Sequence, residues 1–362
     1  MNRIADINEA NIAAFQQLLE GCRRFVVTVH NSPDGDALGS GTALCHYLAS
    51  RGKAVSFVLP DPAPGTLSFL FREDDPFAVF NLEDHPDRSR QAIADADSVI
   101  CLDFNAFHRT KLGPVIAGSR ARKVLIDHHI GPDRKAFELS FSEEKVSSAS
   151  ELLYYILLES DDIRGDASAL PPRSAYALLT GMTTDTNNFG NSVWPSTLKM
   201  ASDLIAAGVD RDGIIDHIYH AYRENRLRAL GFFLSEKMKL TPQGVAYVVF
   251  SEQDMQCFGL QEGETEGFVN FPLSLQAVNV SVFLREMPDR FRVSVRSRKG
   301  WSANRWAREC FFGGGHENAA GGTLFKAGTP DHVRGGIPET VTDAASVEQY
   351  VQDAIVRFFG TV

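Results

Sequence analysis

The sequence lacks the features that would place it in a membrane or outside the cell. No apolar run approaches the roughly 20 residues of a membrane-spanning helix, and the first residues have neither the basic start nor the apolar core of a signal peptide. The five cysteines are scattered and nowhere spaced as CxxC, so neither a disulfide framework nor a zinc ribbon is indicated. We therefore expect a cytoplasmic protein with no membrane partner.

Positive charge is also scarce. The chain has 36 Lys and Arg against 46 Asp and Glu, a net charge of −10. Proteins that grip long nucleic acids without sequence preference neutralise many phosphates, so this acidity argues against that class. Binding of a small phosphate ligand by a local basic patch stays an open alternative. Hydrophobic content of 44% and charged content of 23% are ordinary for a globular protein, and 362 residues predict two compact domains.

The most informative stretch is HNSPDGD at residues 30–36. An apolar run at 25–29 leads into it and a helix-like segment at 37–44 follows, which predicts a strand, a tight loop and a helix. One imidazole and two carboxylates on such a loop suit hard divalent cations better than structural zinc. The motif therefore indicates a metal-dependent hydrolase.

Further predicted elements end in side chains of the same kind. Apolar strands at 98–102 and 123–126 run into Asp103 and into Asp127 with two histidines, and a later helix ends near Asp185. Strands that alternate with helices predict an α/β fold with a mostly parallel sheet, which binds ligands beyond the carboxyl ends of its strands. Each residue alone is more often solvated or structural, but together they suit two divalent ions. The candidate metal ligands are His30, Asp34, Asp36, Asp103, His128 and Asp185.

One predicted helix has a recognisable start. Ser147 or Ser148 is expected to cap a helix at 149–158, and Glu151 completes a capping-box pattern with Ser148. From residue 196 to about 240 the pattern is helical and partly charged, as expected of a bridge between two lobes.

The second lobe has two landmarks. In GGGHENAAGG at 313–322, backbone N–H groups could approach a phosphate closely, and we expect a helix start there to add a favourable dipole; the same glycines also suit ordinary turns. Alternation at 292–298 places Arg292, Ser294, Arg296 and Arg298 on one face of a predicted strand. Arginine suits phosphate oxygens, although a solvated charged face stays open for Arg292 and Arg298.

These motifs together resemble a known family. HNSPDGDALGS at 30–40, Asp103, the Asp-His-His run at 127–129 and Thr184-Asp185 resemble the four signature motifs of the DHH phosphoesterase superfamily. Residues 313–322 resemble the glycine-rich motif of the DHH-associated C-terminal domain, and order and spacing resemble the branch of nanoRNases and phosphoadenosine-phosphate phosphatases. We expect a DHH domain at 1–195, a helical linker at 196–229 and a smaller α/β substrate-binding domain at 230–362.

The resemblance implies a role for each matched residue. One Mn²⁺ would take His30 and Asp34 and a second would take Asp36, His128 and Asp185, with Asp103 bridging; Mg²⁺ or Co²⁺ could substitute. His129 would be a catalytic hydrogen-bond donor or general acid. Asp127 would orient the histidines, although it could also be a simple strand cap. The implied substrate-binding residues are Arg285, Arg296, Ser297, Gly313, Gly314, Gly315 and His316.

The implied activity is manganese-dependent hydrolysis of very short RNA or DNA oligonucleotides and of small nucleotides such as phosphoadenosine phosphate. Three alternatives stay open: a signalling phosphodiesterase of cyclic or linear dinucleotides, a pyrophosphatase, and a nucleotide-binding regulator without catalysis. The motifs of the second lobe argue against the pyrophosphatase. Homodimer formation is a further open option.

Overall fold

The computed structural model describes residues 6–329 and 341–360. The chain forms two compact units that divide between Ala221 and Tyr222, inside the range 196–229. That this range acts as a linker stays a prediction. Within the described residues, every helix is too short or too polar to cross a lipid bilayer.

The first unit is an α/β structure around a parallel sheet of six strands, counted among the described residues. Its strands are β1 (Arg24–Thr28), β2 (Ala54–Leu59), β3 (Ala78–Asn81), β4 (Ser98–Leu102), β5 (Arg122–Asp127) and β6 (Leu139–Ser142). Its helices are α1 (Glu9–Gly21), α2 (Gly35–Ser50), α3 (Pro86–Asp95), α4 (Gly113–Gly118), α5 (Ala149–Leu158), α6 (Pro172–Asp185), α7 (Pro195–Ala206) and α8 (Arg211–Tyr219).

The strand order explains where a ligand can bind. The order is β3-β2-β1-β4-β5-β6, so the direction of winding reverses between β1 and β4. In open parallel sheets a crevice forms at that point, beyond the carboxyl ends of the strands. The sheet is buried on both faces: α1, α2, α5 and α6 cover one, and α3 and α4 cover the other. The continuous apolar character of β4 follows from this double burial.

Helices α2 and α6 pack antiparallel and unusually closely. A Cβ atom added at Gly39 would lie 2.7 Å from the carbonyl oxygen of Ala177 and 2.8 Å from Gly181. At the start of α2, a Cβ at Gly35 would lie 2.4 Å from the hydroxyl of Thr184. Glycine therefore lets the first turn of α2 meet the last turn of α6, which brings the residues around Asp34 toward the end of α6.

The second unit contains a mixed sheet of six strands among the described residues, in the order β11-β12-β10-β9-β8-β7. Only β8 and β9 pair in parallel there. The strands are β7 (Lys239–Leu240), β8 (Val245–Phe250), β9 (Val280–Glu286), β10 (Arg290–Ser297), β11 (Gly314–Gly315) and β12 (Ala319–Phe325). The helices are α9 (Glu224–Phe232), α10 (Glu252–Cys257), α11 (Ala303–Cys310) and α12 (Ala344–Phe359). Helices α11 and α12 pack on one face of this sheet, and α9 packs on the other.

The predicted α/β class is confirmed, with a parallel sheet in the first unit and a smaller mixed sheet in the second. The two-residue strands β7 and β11 were not expected from the sequence, and neither were two longer strands, β6 and β12. Strand β6 is only four residues long, and β12 contains two consecutive glycines, so neither shows a clear strand pattern. Ser148 is confirmed as the N-cap of α5, and its hydroxyl accepts a hydrogen bond from the amide of Glu151.

Candidate metal centre

His30 enters the site from the loop that follows β1. Its Nδ1 lies 2.8 Å from the carbonyl oxygen of Asn31, which can only accept, so Nδ1 is the nitrogen that carries the proton. Nε2 then lies 3.3 Å from Oδ2 of Asp103 and 3.8 Å from Oδ1 of Asp34. The loop is held in place because the amide of Asn31 donates to the carbonyl of Arg109.

Two aspartates stand at the start of α2. Asp34 is its N-cap, and Oδ1 accepts hydrogen bonds from the amides of Asp36 and Ala37 at 3.1 Å each. Asp36 is buried, and its carboxylate accepts from the first two amides of α5: Ala149 N at 2.6 Å and Ser150 N at 2.9 Å. Two helix N-termini therefore hold two carboxylates, an arrangement that the helix dipole favours.

Asp103 occupies the centre of the cluster. It follows β4 with a left-handed backbone (φ 61°) and is 2% exposed. Its Oδ2 faces His30, while its Oδ1 lies 3.3 Å from Nε2 of His128. The left-handed backbone, which aspartate adopts more readily than most residues, thus places this carboxylate between the two imidazoles.

The end of β5 supplies the remaining polar groups. Nε2 of His128 lies 3.8 Å from Oδ2 of Asp36 and 3.7 Å from Oδ2 of Asp185, the last residue of α6. His129 turns instead toward the buried Asp127, with 2.8 Å between Nδ1 and Oδ1. The contact between Asp127 and His129 goes beyond what a simple strand cap would make. The structure thus brings together all six predicted metal-binding residues and both predicted catalytic residues.

The electrostatics of the cluster are dominated by burial and by crowded carboxylates. Burial raises the pKa of Asp36 well above 3.8, and the charges of Asp103 and Asp185 add to the effect. Burial likewise raises the pKa of Asp185 to about 6, with the charges of Asp34 and Asp103 acting in the same direction. These carboxyl groups resist ionisation unless positive charge is placed among them.

The histidines supply part of that charge. For Asp103, burial is outweighed by hydrogen bonds from His128 and His30, which hold its pKa well below 3.8. The same contacts outweigh burial for the two imidazoles, so the pKa of His30 and that of His128 lie well above 6.5. The surrounding carboxylates therefore favour positive charge on these two imidazoles.

The residues fit divalent metal ions. Donor atoms of His30, Asp34 and Asp103 lie within 4.8 Å of one another, as do those of Asp36, Asp103 and His128, so the two groups share Asp103. The buried Oδ1 of Asp103 lies 3.3 Å from Nε2 of His128, and its Oδ2 lies 3.3 Å from Nε2 of His30, so this carboxylate belongs to both groups. Carboxylates and imidazoles are common protein ligands of divalent metal ions.

In the second unit, β10 shows the predicted alternation. Arg292, Ser294 and Arg296 share one face, and the apolar residues face the helices. The expectation that Arg298 shares this face is wrong, because β10 ends at Ser297 and the Arg298 guanidinium donates to the carbonyls of Leu273 and Leu275.

Three predicted substrate-binding residues of this unit have partners within the unit. Arg285 is 6% exposed and donates to Glu262 at 2.8 Å. Ser297 lies on the buried face of β10, where its hydroxyl donates to the carbonyl of Trp301 at 2.6 Å. Arg296 lies on the other face and donates to the Val295 carbonyl at 3.0 Å. That any of them binds substrate stays a prediction.

The glycine run has a different setting from the one expected. No helix starts there in the described part of the second unit; the run follows the end of α11 and forms the tight β11–β12 hairpin. The expected helix dipole at this loop is therefore wrong. A Cβ at Gly313 would lie 1.7 Å from the carbonyl oxygen of Gly321, and Gly315 has φ +147°. The amide of His316 donates to the carbonyl of Ala319. Two of the glycines are thus required by backbone contact alone, and a phosphate-binding role for the loop stays a prediction.

Sequence reasoning missed the amides of Ala149 and Ser150 that hold Asp36. The capping pattern located the start of α5, but nothing local to it indicates which carboxylate the helix start faces. The pattern also misplaced one contact: the Glu151 carboxylate accepts from the amide of Ser147, not from that of Ser148.

The sequence matches two family models, the DHH family N-terminal domain over residues 24–182 and the DHHA1 domain over residues 243–334. The chain is 27% identical over 311 residues to the bifunctional oligoribonuclease and PAP phosphatase NrnA of Bacillus subtilis, covering 84% of this chain and 90% of that one. It is 29% identical over 299 residues to the NrnA of Thermus thermophilus, covering 82% and 83%.

A solved structure is similar to this chain over nearly its full length. The crystal structure of an exopolyphosphatase-related protein from Bacteroides fragilis is 32% identical, covers 98% of both chains and superimposes with a TM-score of 0.83. The fold and the site define a phosphoesterase, an enzyme that hydrolyses phosphate esters. The chain belongs to the DHH phosphoesterase superfamily, in the branch of the nanoRNases and PAP phosphatases.

Proposed function

We propose that this enzyme hydrolyses very short oligonucleotides, down to linear dinucleotides, and phosphoadenosine phosphate, with Mn²⁺ as its cofactor. The observation that carries the proposal is Asp103, a buried carboxylate between the two imidazoles of His30 and His128 and common to two groups of metal-type ligands. The similarity to the NrnA proteins over more than four-fifths of the chain supports the substrate class.

Each of the six site residues has a proposed place. His30 and Asp34 would hold one ion, and Asp36, His128 and Asp185 would hold the other, with Asp103 touching both. Bound ions would supply positive charge that stabilises the transition state of phosphoryl transfer. The residues keep this charge fixed in place, since the carboxylates of Asp34 and Asp36 are themselves held by helix amides.

His129 is the proposed proton-transfer residue. Its Nδ1 contacts Asp127 at 2.8 Å and orients the ring, so proton transfer to a leaving oxygen would pass through Nε2. A His129→Gln variant would keep a hydrogen-bond donor but lose proton transfer.

The second unit is the proposed substrate-binding part. Arg296, on the face of β10 opposite α11 and α12, would bind phosphate through its guanidinium. Gly314 and His316 are the proposed loop partners, and Arg285, Ser297, Gly313 and Gly315 are further members of the set. The net charge of −10 favours short substrates, because a long strand would meet repulsion that few arginines could offset.

A panel of substrates tests the proposal. Metal-stripped enzyme is given Mn²⁺, Mg²⁺ or Co²⁺ and a 5′-phosphorylated dinucleotide, a cyclic dinucleotide, a long single strand, phosphoadenosine phosphate or pyrophosphate, and the products are separated by chromatography. We expect rapid Mn²⁺-dependent release of mononucleotide from the dinucleotide and slow cutting of the long strand. Preferred turnover of pyrophosphate or cyclic dinucleotide would reassign the substrate, and binding without turnover of any substrate would refute catalysis.

A further inference from the structure

The buried carboxylate of Asp36 is held from outside its own helix. The amides of Ala149 and Ser150, 113 and 114 residues further along the chain, donate to Oδ2 and Oδ1 of Asp36 at 2.6 and 2.9 Å. These are the first two amides of α5. The position of Asp36 therefore depends on where the first turn of α5 lies.

That first turn is fixed in turn by Glu151. Its side chain is fully buried, and a single oxygen, Oε2, accepts three hydrogen bonds: from the amide of Ser147 at 2.8 Å, its hydroxyl at 2.6 Å and the hydroxyl of Thr197 at 2.6 Å. Thr197 lies in the first turn of α7, and its hydroxyl also accepts from the amide of Trp194. Glu151 thus ties the segment before α5 to the start of α7.

We propose that Glu151 is a positioning residue of the metal centre, which acts by holding the start of α5 where its amides orient Asp36. The inference rests on the proposed function, since it takes Asp36 as a metal-binding residue. Glu151 touches neither substrate nor metal in this proposal. Its effect passes through the segment from Ser147 to Ser150.

The surroundings leave this segment little freedom to compensate. A Cβ at Gly181 of α6 would lie 2.1 Å from the hydroxyl of Ser150 and 3.0 Å from Oδ1 of Asp36, so α6 packs directly against the contact. A small shift of Ser150 toward α6 would therefore cause a steric clash, and a shift away from α6 would break the hydrogen bond to Asp36. Partners that orient metal ligands typically contribute about 10–100-fold to metal affinity.

The chain offers a matched control on the same helix. The hydroxyl of Tyr154 donates to Asp203 of α7 at 2.8 Å, so it also ties α5 to α7, but one turn further from Asp36. Tyr154→Phe removes that bond without touching the start of α5. Both variants should lower the stability of the metal-free chain, and only a change at Glu151 should alter metal binding.

The measurement is Mn²⁺ titration of the metal-stripped full chain by calorimetry, beside thermal unfolding of the same metal-free samples. We expect Glu151→Met to weaken the apparent Mn²⁺ affinity by about 10–100-fold and Tyr154→Phe to leave it within about twofold. Glu151→Gln can keep an accepting oxygen at the position of Oε2, so its affinity should lie closer to that of the unaltered chain. Raising Mn²⁺ should restore turnover of Glu151→Met, because the ligands themselves remain.

Two results would overturn the inference: unaltered affinity in Glu151→Met, or an equal loss in Tyr154→Phe. If Glu151→Met does not fold, the variant to measure is Thr197→Val, which removes one of the three hydrogen-bond donors to Glu151. It should weaken the Mn²⁺ affinity a few-fold, and an unaltered affinity would equally overturn the inference. An unaltered chain that binds no Mn²⁺ would refute the proposed function as well. If the unaltered chain and the variants all bind Mn²⁺ with the same affinity, only the role of Glu151 would be refuted.

Discussion

Replacing Asp103 by asparagine is the most direct test of the metal centre. Asparagine has nearly the same shape and tolerates the left-handed backbone found here, so the fold should survive. The change removes a negative charge that lies 3.3 Å from Nε2 of both His30 and His128. It thus isolates the charge of the shared carboxylate from its packing.

The size of the effect can be worked from these contacts. An interaction with a charged group contributes about 1.5–3 kcal/mol. Asp103 belongs to both proposed metal-binding groups, so the loss of one such interaction in each corresponds to about 3–6 kcal/mol. At about 1.4 kcal/mol per factor of ten, the expected loss in kcat/KM is roughly 10²–10⁴-fold. Excess Mn²⁺ should recover little of it, because the missing ligand serves both sites.

The assay is the initial rate of mononucleotide release from a 5′-phosphorylated dinucleotide over a range of Mn²⁺ concentrations. Asp97→Asn is the control: Asp97 stands at the opposite end of β4, where it accepts hydrogen bonds from the amides of Arg23 and Arg24. It should keep normal turnover. Wild-type turnover in Asp103→Asn, or an equal loss in Asp97→Asn, would refute the reasoning.

Three further predictions concern stability, each measured by denaturant unfolding. Gly39→Ala should lower the free energy of unfolding by about 1–2 kcal/mol, because the clash with backbone of α6 exceeds the gain in helix propensity; an unchanged midpoint would show that the helices can separate. Asn318→Ala should lower the free energy of unfolding by about 2 kcal/mol, because the two N–H groups on Nδ2 of Asn318 donate to a cluster of three acceptor oxygens, each 3.0 Å from the nitrogen; a loss below about 0.5 kcal/mol would contradict this. Burial disfavours the charge of Asp254, but hydrogen bonds from Lys237 and Ser251 outweigh it and lower its pKa below 3.8. The ionised carboxylate of Asp254 therefore stabilises the fold fully above pH 3.8, and this stabilisation is lost as the pH falls through the lower pKa of the folded state. The loss in free energy of unfolding caused by Asp254→Asn should thus become smaller in acid. A loss that does not change with pH would refute the ion pair.

Much of the fold and of the site could be predicted because the signals are local. The strand at 54–59 and the helix at 149–158 coincide with β2 and α5, since apolar periodicity and a capping serine act within a few residues. The side chains at the ends of β1, β4 and β5 could be expected to meet because parallel strands share one edge. The resemblance added the roles, which the structure leaves as proposals.

What the sequence by itself determined was therefore which residues could form each strand, helix and ligand set. Only the tertiary structure decided that the start of α5 faces Asp36, that Glu151 reaches Ser147 and Thr197, and that the glycine run closes a hairpin. The physical reason is distance along the chain. Periodicity and capping report on neighbours within a turn or two, whereas a contact across 113 residues exists only once the sheet has ordered its strands and the helices have packed on it.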